Sequence, residues 1–552
     1  MKRKSIISIV MKGILAGAVL AGFLLFPGGE GQVQGAAGPE EEYVVLFKKE
    51  FKASPASMQA ANASRVEAKG GEVQEAYKNF PVVSATLTEA EVQALKEDSR
   101  VLAVEKNIPF TPSAQTLDWG MEATGAVTGF ASGYKGQGIK VGIIDTGIGP
   151  HTDLAVAGGM NFAVTPNYGA NNLDDHDPNG GHGTHVAGIV GALDNTIGVR
   201  GVASEVELYA LKIFDYDGGV QYGGDLPEVL LALDWAIAND LDILNMSFGS
   251  ASGSSVLEAA INEVAAAGIL MVAAAGNITK DTPLTSVQYP ARYEAVVAVA
   301  SVTVNLTRSS FSCYGPEIDI AAPGGEIGGQ GIYSTLANNQ YGYGVGTSMA
   351  APYVTGLLAQ YKNQYPEASP AYLKKLLTTS AIELGAPFLD PYYGYGLAQW
   401  KTDYSGIYEI RSKNSQLVMD VYGGGRDNAT NIIQWPRHGG LNQQWSVVQT
   451  GDGYYTVTSV LNPQFSVDVY GGGTTIGNRV IQYWSRPWQI NQKWRLVRMP
   501  DGTVSFMSQL SEESGKFYLL DVYGGGKTAG VNVIQWSGHY GDNQRWFLDP
   551  VR

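Results

Sequence analysis

Residues 404–552 carry one phrase three times. Met419-Asp420-Val421-Tyr422-Gly423-Gly424-Gly425 returns as Val467-Asp468-Val469-Tyr470-Gly471-Gly472-Gly473. It returns again as Leu520-Asp521-Val522-Tyr523-Gly524-Gly525-Gly526, and the Asp-to-Asp spacings are 48 and 53 residues. Each copy continues into a Gln followed by an aromatic residue (Gln434-Trp435, Gln482-Tyr483-Trp484, Gln535-Trp536). Each closes on Asn-Gln-x-Trp, running Asn442 to Trp445, Asn491 to Trp494 and Asn543 to Trp546. One short β unit with a glycine turn cannot bury its own apolar face, so three copies predict a closed, three-fold, all-β arrangement. Seven of the ten tryptophans fall here and no convincing long helix does.

Charge separates this tail from what precedes it. Residues 402–552 hold 13 Lys and Arg against 12 Asp and Glu, whereas residues 111–400 hold 10 against 27. Residues 114–400 also differ in pattern. Apolar runs at Ile139–Ile144, Ile243–Met246, Leu270–Ala275 and Ala295–Ala300 alternate with helical patterns at Leu226–Ala238, Val256–Ala267 and Pro370–Ala381. That alternation predicts an α/β domain with a parallel central sheet and crossover helices. Residues 41–110 read as a small separate unit: strand (Tyr43–Phe47), helix (Ser57–Lys69), strand (Val82–Leu87), helix and strand (Val101–Glu105). Thr88 and Glu91 form a capping box at the start of the second helix. The order predicts a ferredoxin-like α+β sandwich. Residues 1–37 read as a secretory leader: Lys2, Arg3, Lys4 and Lys12 precede an apolar run, Gly13–Phe26, and small residues at Gly35-Ala36-Ala37. The chain is therefore expected outside the cell, with no membrane contact once the leader is gone.

A formal charge of −15 argues against nucleic acid as a partner, because phosphate binding needs a basic face. A single cysteine, Cys313, excludes an intramolecular disulfide and any Cys-rich zinc site. It reads as a small buried residue. Six histidines leave few candidates for a base near neutral pH.

Three motifs in the middle domain bear chemistry. Val141-Gly142-Ile143-Ile144-Asp145-Thr146-Gly147 puts a carboxylate at the end of a buried strand, where α/β sheets place their sites. Gly181-His182-Gly183-Thr184-His185 puts an imidazole among glycines at a helix start; it lacks the spacing and the intervening Glu of a zinc helix. Gly346-Thr347-Ser348-Met349-Ala350-Ala351 puts a hydroxyl at another helix start, followed by small residues. A serine is a weak nucleophile that needs a base, and the base needs a carboxylate to fix its tautomer and stabilise its cation. The developing oxyanion needs preorganised donors, and Asn277, ending Met271-Val272-Ala273-Ala274-Ala275-Gly276, supplies one.

With these flanks the order Asp…His…Ser resembles the subtilisin-like serine proteases (subtilases, peptidase family S8), from which the triad and oxyanion-amide template was itself partly drawn. The resemblance spans residues 41–400. It implies a three-layer subtilisin-like fold over 114–400, preceded by an inhibitor and chaperone prodomain over 41–110 that is cut off near Ser113/Ala114. Asp145 would orient the base, His182 would act as base and then acid, and Ser348 would attack, with Asn277 in the oxyanion hole. Ser247, Phe248 and Gly249 would pair with extended substrate, and Ala274, Ala275 and Gly276 would wall the first specificity pocket. Gln288 stands where secreted subtilisins often carry glycine, which implies a smaller or more polar pocket. The resemblance also implies a Ca²⁺ site made by Gln115, Asp153, Leu193, Asn195, Ile197 and Val199. All-oxygen coordination suits that ion. The acidic run Asp174-Asp175-His176-Asp177 reads as a solvated loop, with a second ion as the alternative.

The repeats resemble the ricin-type β-trefoil lectins, so 404–552 is expected to be a carbohydrate-binding domain. Its sugar-facing sets would be Asp420, Trp435 and Asn442; Asp468, Trp484 and Asn491; Asp521, Trp536 and Asn543. Carboxylate and amide would bond hydroxyls while the aromatic face packs on the pyranose. The Asp-to-Asn spacings are 22, 23 and 22. The expected activity is peptide-bond hydrolysis on protein or peptide substrates by a secreted zymogen, with the tail holding a glycan surface. The alternative is a catalytically inactive subtilase scaffold that serves as a carbohydrate-binding protein. A glycosidase is disfavoured because the middle domain offers no convincing acid pair.

Overall fold

The computed structural model describes residues 41–48, 55–107, 115–280 and 284–551. The expected leader and the expected processing point at Ser113/Ala114 lie outside these residues. The chain divides into two compact units, Met1–Pro112 and Ser113–Arg552.

The first unit is a four-stranded antiparallel sheet in the order Glu72–Ala76, Val82–Leu87, Glu41–Phe47, Val101–Lys106, with helices Pro55–Glu67 and Glu89–Lys96. Alternate residues of the central strands, Tyr43, Val45, Phe47, Val83, Ala85 and Leu87, turn inward against Val66, Val92 and Leu95. The capping box forms: Glu91 N–H donates to Thr88 Oγ1 and Thr88 N–H to Glu91 Oε2, at 3.4 and 2.7 Å. The edge strand Glu72–Ala76 was not anticipated. Its sequence, Glu-Val-Gln-Glu-Ala, has one strong apolar residue and reads as loop until it pairs with its neighbour.

The second unit opens with a seven-stranded parallel sheet. Its order is Ile320–Pro323, Val297–Val302, Leu270–Ala274, Ile243–Met246, Lys140–Asp145, Glu207–Lys212, Val156–Asn161. Its inner strands Ile243–Met246, Leu270–Ala274 and Val297–Val302 are buried throughout and read as near-continuous apolar runs because both faces are covered, whereas the edge strand Val156–Asn161 is partly exposed. Val141, Ile143, Val272 and Val299 point to one core, packed under helices His182–Gly191 and Thr347–Gln364. Ile144, Met271, Ala273 and Ala298 point to the other, under Leu226–Ala238 and Ser255–Ala266. Cys313 is fully buried there, and burial pushes its thiol up to about 11, so it packs as a small inert residue.

The tail is a closed barrel of six strands: Gly406–Ser412, Trp445–Gln449, Tyr455–Ser459, Lys493–Arg498, Val504–Ser508 and Trp546–Pro550. The last pairs back onto the first. Three hairpins close one end: Val418–Val421 with Ile432–Trp435, Phe465–Val469 with Val480–Trp484, and Tyr518–Val522 with Val533–Ser537. The repeated phrase explains this geometry. Trp445, Trp494 and Trp546 are buried, and their indole N–H groups donate to the carbonyls of Met419, Val467 and Leu520 at 3.2, 3.1 and 3.3 Å. The repeated Gln residues lace one copy to the next. Gln434 donates to the carbonyls of Gly526 and Thr528, Gln482 to those of Gly425 and Asp427, and Gln535 to those of Gly473 and Thr475.

The barrel is docked on the α/β domain. Ile382 bridges Arg498, and Glu383 N–H donates to Arg498 O at 2.8 Å. Arg495 donates to Thr378 O at 2.8 Å, Phe388 stacks on Phe517 with ring centres 5.4 Å apart, and Tyr540 OH donates to Glu383 Oε2 at 2.9 Å. Glu383 Oε1 is buried without a partner. Burial raises this carboxyl to about 8 against the opposing pull of Tyr540 and Arg495, so it holds a proton at neutral pH.

Candidate active site

Asp145 is the last residue of its strand, at the carboxyl edge of the parallel sheet, and is buried. Its Oδ1 accepts Thr146 N–H at 2.8 Å and lies 2.7 Å from His182 Nδ1; its Oδ2 is buried without a partner. His182 begins helix His182–Gly191, with its side chain one-third exposed at 33%. The helix start can approach this closely only because residue 183 is glycine. A methyl there would lie 3.0 Å from Asp145 Cβ and would press on Gly147 O.

The preceding acidic run is more than a solvated loop, because it braces this helix. Buried Asp175 accepts Thr184 N–H and Oγ1–H at 2.9 and 2.8 Å, and Asp177 Oδ2 accepts His182 N–H at 3.1 Å. Among the described residues no cluster of three His, Cys, Asp or Glu side chains is arranged to hold a metal. Burial opposes the cationic form of His182. Asp145, helped by Asp175 and Asp177, overrides it and lifts the imidazole to about 9. Burial, with the charge of His182, holds His185 at about 4; its neutral ring lies 3.1 Å from Ile332 O through Nε2 and is structural.

Ser348 is the second residue of helix Thr347–Gln364. Its Oγ donates to Ser247 O at 3.1 Å, while Ser247 Oγ donates to Ser348 O at 2.9 Å, tying this helix to the end of strand Ile243–Met246. Asn277 follows strand Leu270–Ala274. Its Oδ1 accepts both Thr347 N–H and Oγ1–H at 3.0 Å, which fixes the amide. A methyl placed on Gly346 would lie 3.4 Å from Asn277 Nδ2 and 3.6 Å from Ser348 N, so two N–H donors border one small space. Thr347 carries no local mark of a role inside its motif; only the tertiary contact with Asn277 reveals one.

Ser247, Phe248 and Gly249 leave the sheet beside Ala274, Ala275 and Gly276. Gln288 N–H donates to Ala275 O at 2.9 Å, and its side chain sits between Gly249 and Gly276. A methyl on Gly276 (φ +103°) would lie 2.5 Å from Gln288 Cδ, and one on Gly249 would overlap its Oε1. Two glycines thus make room for the glutamine, which fills the slot between the two segments.

The Leu193–Val199 loop folds onto Gln115. The Gln115 amide lies 2.5 Å from Leu193 O, 3.0 Å from Val199 O and 3.5 Å from Asn195 Oδ1. Asp153 braces the loop, accepting Asn195 Nδ2–H at 2.7 Å and Val199 N–H at 3.0 Å. Three oxygens therefore converge on one side-chain amide, a donor set that fits a hard cation. For Ile197 the relevant bond is its N–H to Asn195 Oδ1 at 2.8 Å.

In the tail, each repeated Asp is buried at a hairpin, and one of its oxygens is occupied in the same way. Asp420 Oδ2 accepts Asn442 and Gln443, Asp468 Oδ2 accepts Asn491 and Gln492, and Asp521 Oδ2 accepts Asn543 and Gln544, all between 2.7 and 3.0 Å. Asp420, Trp435 and Asn442 line a cavity of about 560 Å³ with Tyr422 and His438. Asp468 and Asn491 line one of about 370 Å³ with Tyr470, Tyr483 and Arg486. The expectation of Trp484 in this second set is corrected. Gln482 pairs with Val467 as Gln434 pairs with Met419, so Tyr483 takes the place of Trp435. Trp484 lies one residue beyond, edge-on to Phe465 at 4.9 Å. Strand side chains alternate between faces, so one step in register decides which ring meets the cavity.

Comparison with known proteins agrees with this architecture. The subtilase family profile matches residues 136–396, the peptidase inhibitor I9 profile matches 42–111, and the ricin-type beta-trefoil lectin domain-like profile matches 398–483 and 484–552. A thermostable alkaline protease of Halalkalibacterium halodurans is 43% identical over 365 residues, 66% of this chain and 92% of that protein. Subtilisin E of Bacillus subtilis is 36% identical over 66% of this chain and 91% of its own length. Subtilisin DY of Bacillus licheniformis is 44% identical over 51% and 97%. The chain belongs to the subtilase family. It is a protease with an inhibitor-type amino-terminal unit and a lectin-like β-trefoil at its carboxyl end.

Proposed function

We propose that this protease is a secreted serine endopeptidase working through Asp145, His182 and Ser348. It would mature from a zymogen divided as leader (1–37), prodomain (41–110), catalytic domain (114–400) and trefoil (404–552). The observation that carries this reading is the 2.7 Å contact between Asp145 Oδ1 and His182 Nδ1, together with a serine at the start of a buried helix that packs on the helix of His182. Asp145 holds the Nδ1–H tautomer, which leaves Nε2 to take the Ser348 proton as Oγ turns from Ser247 O and attacks the scissile carbonyl. Asn277 Nδ2 and Ser348 N–H receive the oxyanion, with Thr347 holding the Asn277 amide in place. His182 then returns the proton to the leaving amine, and water repeats the sequence on the acyl-enzyme.

Substrate would run extended along Ser247-Phe248-Gly249, with its first side chain entering between Gly249 and Gly276. Because Gln288 fills that slot, small side chains are preferred there over aromatic ones. Gln115, Asp153, Leu193, Asn195, Ile197 and Val199 would hold Ca²⁺, which when bound pins the loop without a disulfide. The prodomain would act as a transient inhibitor. The trefoil would bind glycan through Asp420, Trp435 and Asn442, through Asp521, Trp536 and Asn543, and through the middle set with Tyr483, raising local substrate concentration.

Intact mass of the expressed wild type and of Ser348→Ala tests this. A wild type beginning near Ala114 beside an unshortened variant is the expected pair. A wild type that keeps its first unit and cleaves no peptide would favour the inactive-scaffold reading.

A further inference from the structure

The three tail sites are built on one frame but are not chemically equal. In each repeat the Gln of Asn-Gln-x-Trp accepts a corresponding backbone N–H through its Oε1: His438 N–H donates to Gln443, Arg486 N–H to Gln492 and His539 N–H to Gln544, at 2.8, 2.7 and 2.8 Å. These three residues are therefore structural equivalents. The outer two are histidines facing the repeated Asp, with His438 Nε2 3.4 Å from Asp420 Oδ2 and His539 Nε2 3.8 Å from Asp521 Oδ2. The middle one is a permanent cation. The aromatic position changes with it, from Trp435 and Trp536 to Tyr483.

The guanidinium of Arg486 is exposed, lines the cavity with Asp468, Gln489 and Asn491, and lies 5.9 Å from the centre of the Tyr483 ring. Among the described residues it makes no ion pair and no side-chain hydrogen bond; Asp468 spends Oδ2 on the amides of Asn491 and Gln492. The middle cavity thus offers an open carboxylate oxygen for hydroxyl groups and, beside it, an unengaged planar fork of N–H donors. That fork matches a carboxylate in shape and charge, which an imidazole and an indole do not.

We propose that the middle repeat takes a sugar bearing a carboxylate, a uronic acid unit of an acidic polysaccharide, while the two outer repeats take neutral sugars. This rests on the lectin reading of the tail. The −15 charge of the chain opposes non-specific attraction to a polyanion, so retention on one needs a local site of this kind.

The test uses the full chain carrying Ser348→Ala, which prevents self-digestion, in titration calorimetry. The probes are polygalacturonate, its fully methyl-esterified form, and a panel of neutral oligosaccharides. The charged polymer is expected to bind about 10-fold more tightly than its ester, the worth of one charge-assisted contact. Arg486→Ala and Arg486→His both keep the backbone bond to Gln492; each is expected to remove that difference while leaving neutral binding unchanged. Equal binding of polymer and ester, or a preference that survives Arg486→Ala, overturns the proposal. Binding of neutral sugars alone also overturns it but leaves the lectin reading standing. Binding of no saccharide overturns both.

Discussion

Gln288→Gly is expected to convert the protease from small to large aromatic preference at the residue preceding the cut bond. In the native chain the Gln288 side chain lies against the Cα atoms of Gly249 and Gly276 so closely that a methyl on Gly276 would come within 2.5 Å of its Cδ. A benzyl group cannot share that slot. Removing the side chain leaves a cleft walled by two glycines, able to receive an aromatic ring edge-on. Burying a phenylalanine side chain is worth about 1.5–3 kcal/mol, or roughly 10- to 150-fold in kcat/KM. The assay is kcat/KM on peptide anilides identical except for Ala or Phe before the scissile bond. Wild type should favour Ala, and the variant should gain on Phe by that factor with little change on Ala. A wild type that already favours Phe strongly, or an unchanged Phe-to-Ala ratio in the variant, refutes the reasoning.

Three further outcomes are expected. His182 must be unprotonated to accept the Ser348 proton, and neighbouring carboxylates raise it to about 9. The acidic limb of kcat/KM should therefore lie in the alkaline range, and Asp177→Asn should move it to lower pH; an unmoved limb contradicts the assignment. At the barrel joint Glu383 holds its proton up to about 8, whereas an unfolded carboxyl releases it near 4.5. Its stabilising contribution is complete below 4.5 and is lost as pH rises to about 8, so Glu383→Gln should flatten the fall in thermal midpoint across that window. A parallel fall in wild type and variant refutes this. Chelation should lower the thermal midpoint, because an ion at 100 times its dissociation constant adds about 2.7 kcal/mol. Asn195→Ala should make chelation inconsequential, and a chelation effect that persists in that variant places the ion elsewhere.

Much of this was legible in the sequence because it is local. The triad candidates announce themselves through glycines that admit close backbone approach, such as Gly183 beside Asp145. The barrel announces itself through Gln and Trp residues whose roles repeat in every copy. Three features were not legible, each for the same reason: they depend on register or contact between distant segments. Thr347 looks like any helix-start residue until Asn277 reaches it. Tyr483-Trp484 offers two rings, and only the pairing of Gln482 with Val467 tells which one faces the cavity. The docking of Glu383, Phe388 and Arg495 leaves no local signal, since a buried acid and a neutral loop look alike in one dimension.

The most direct test of the catalytic assignment is labelling with a fluorophosphonate followed by peptide mapping. The adduct is expected on Ser348 alone in wild type, greatly slowed in His182→Ala, and absent in Ser348→Ala together with peptide hydrolysis. An adduct on another serine, or hydrolysis that persists in Ser348→Ala, would contradict it.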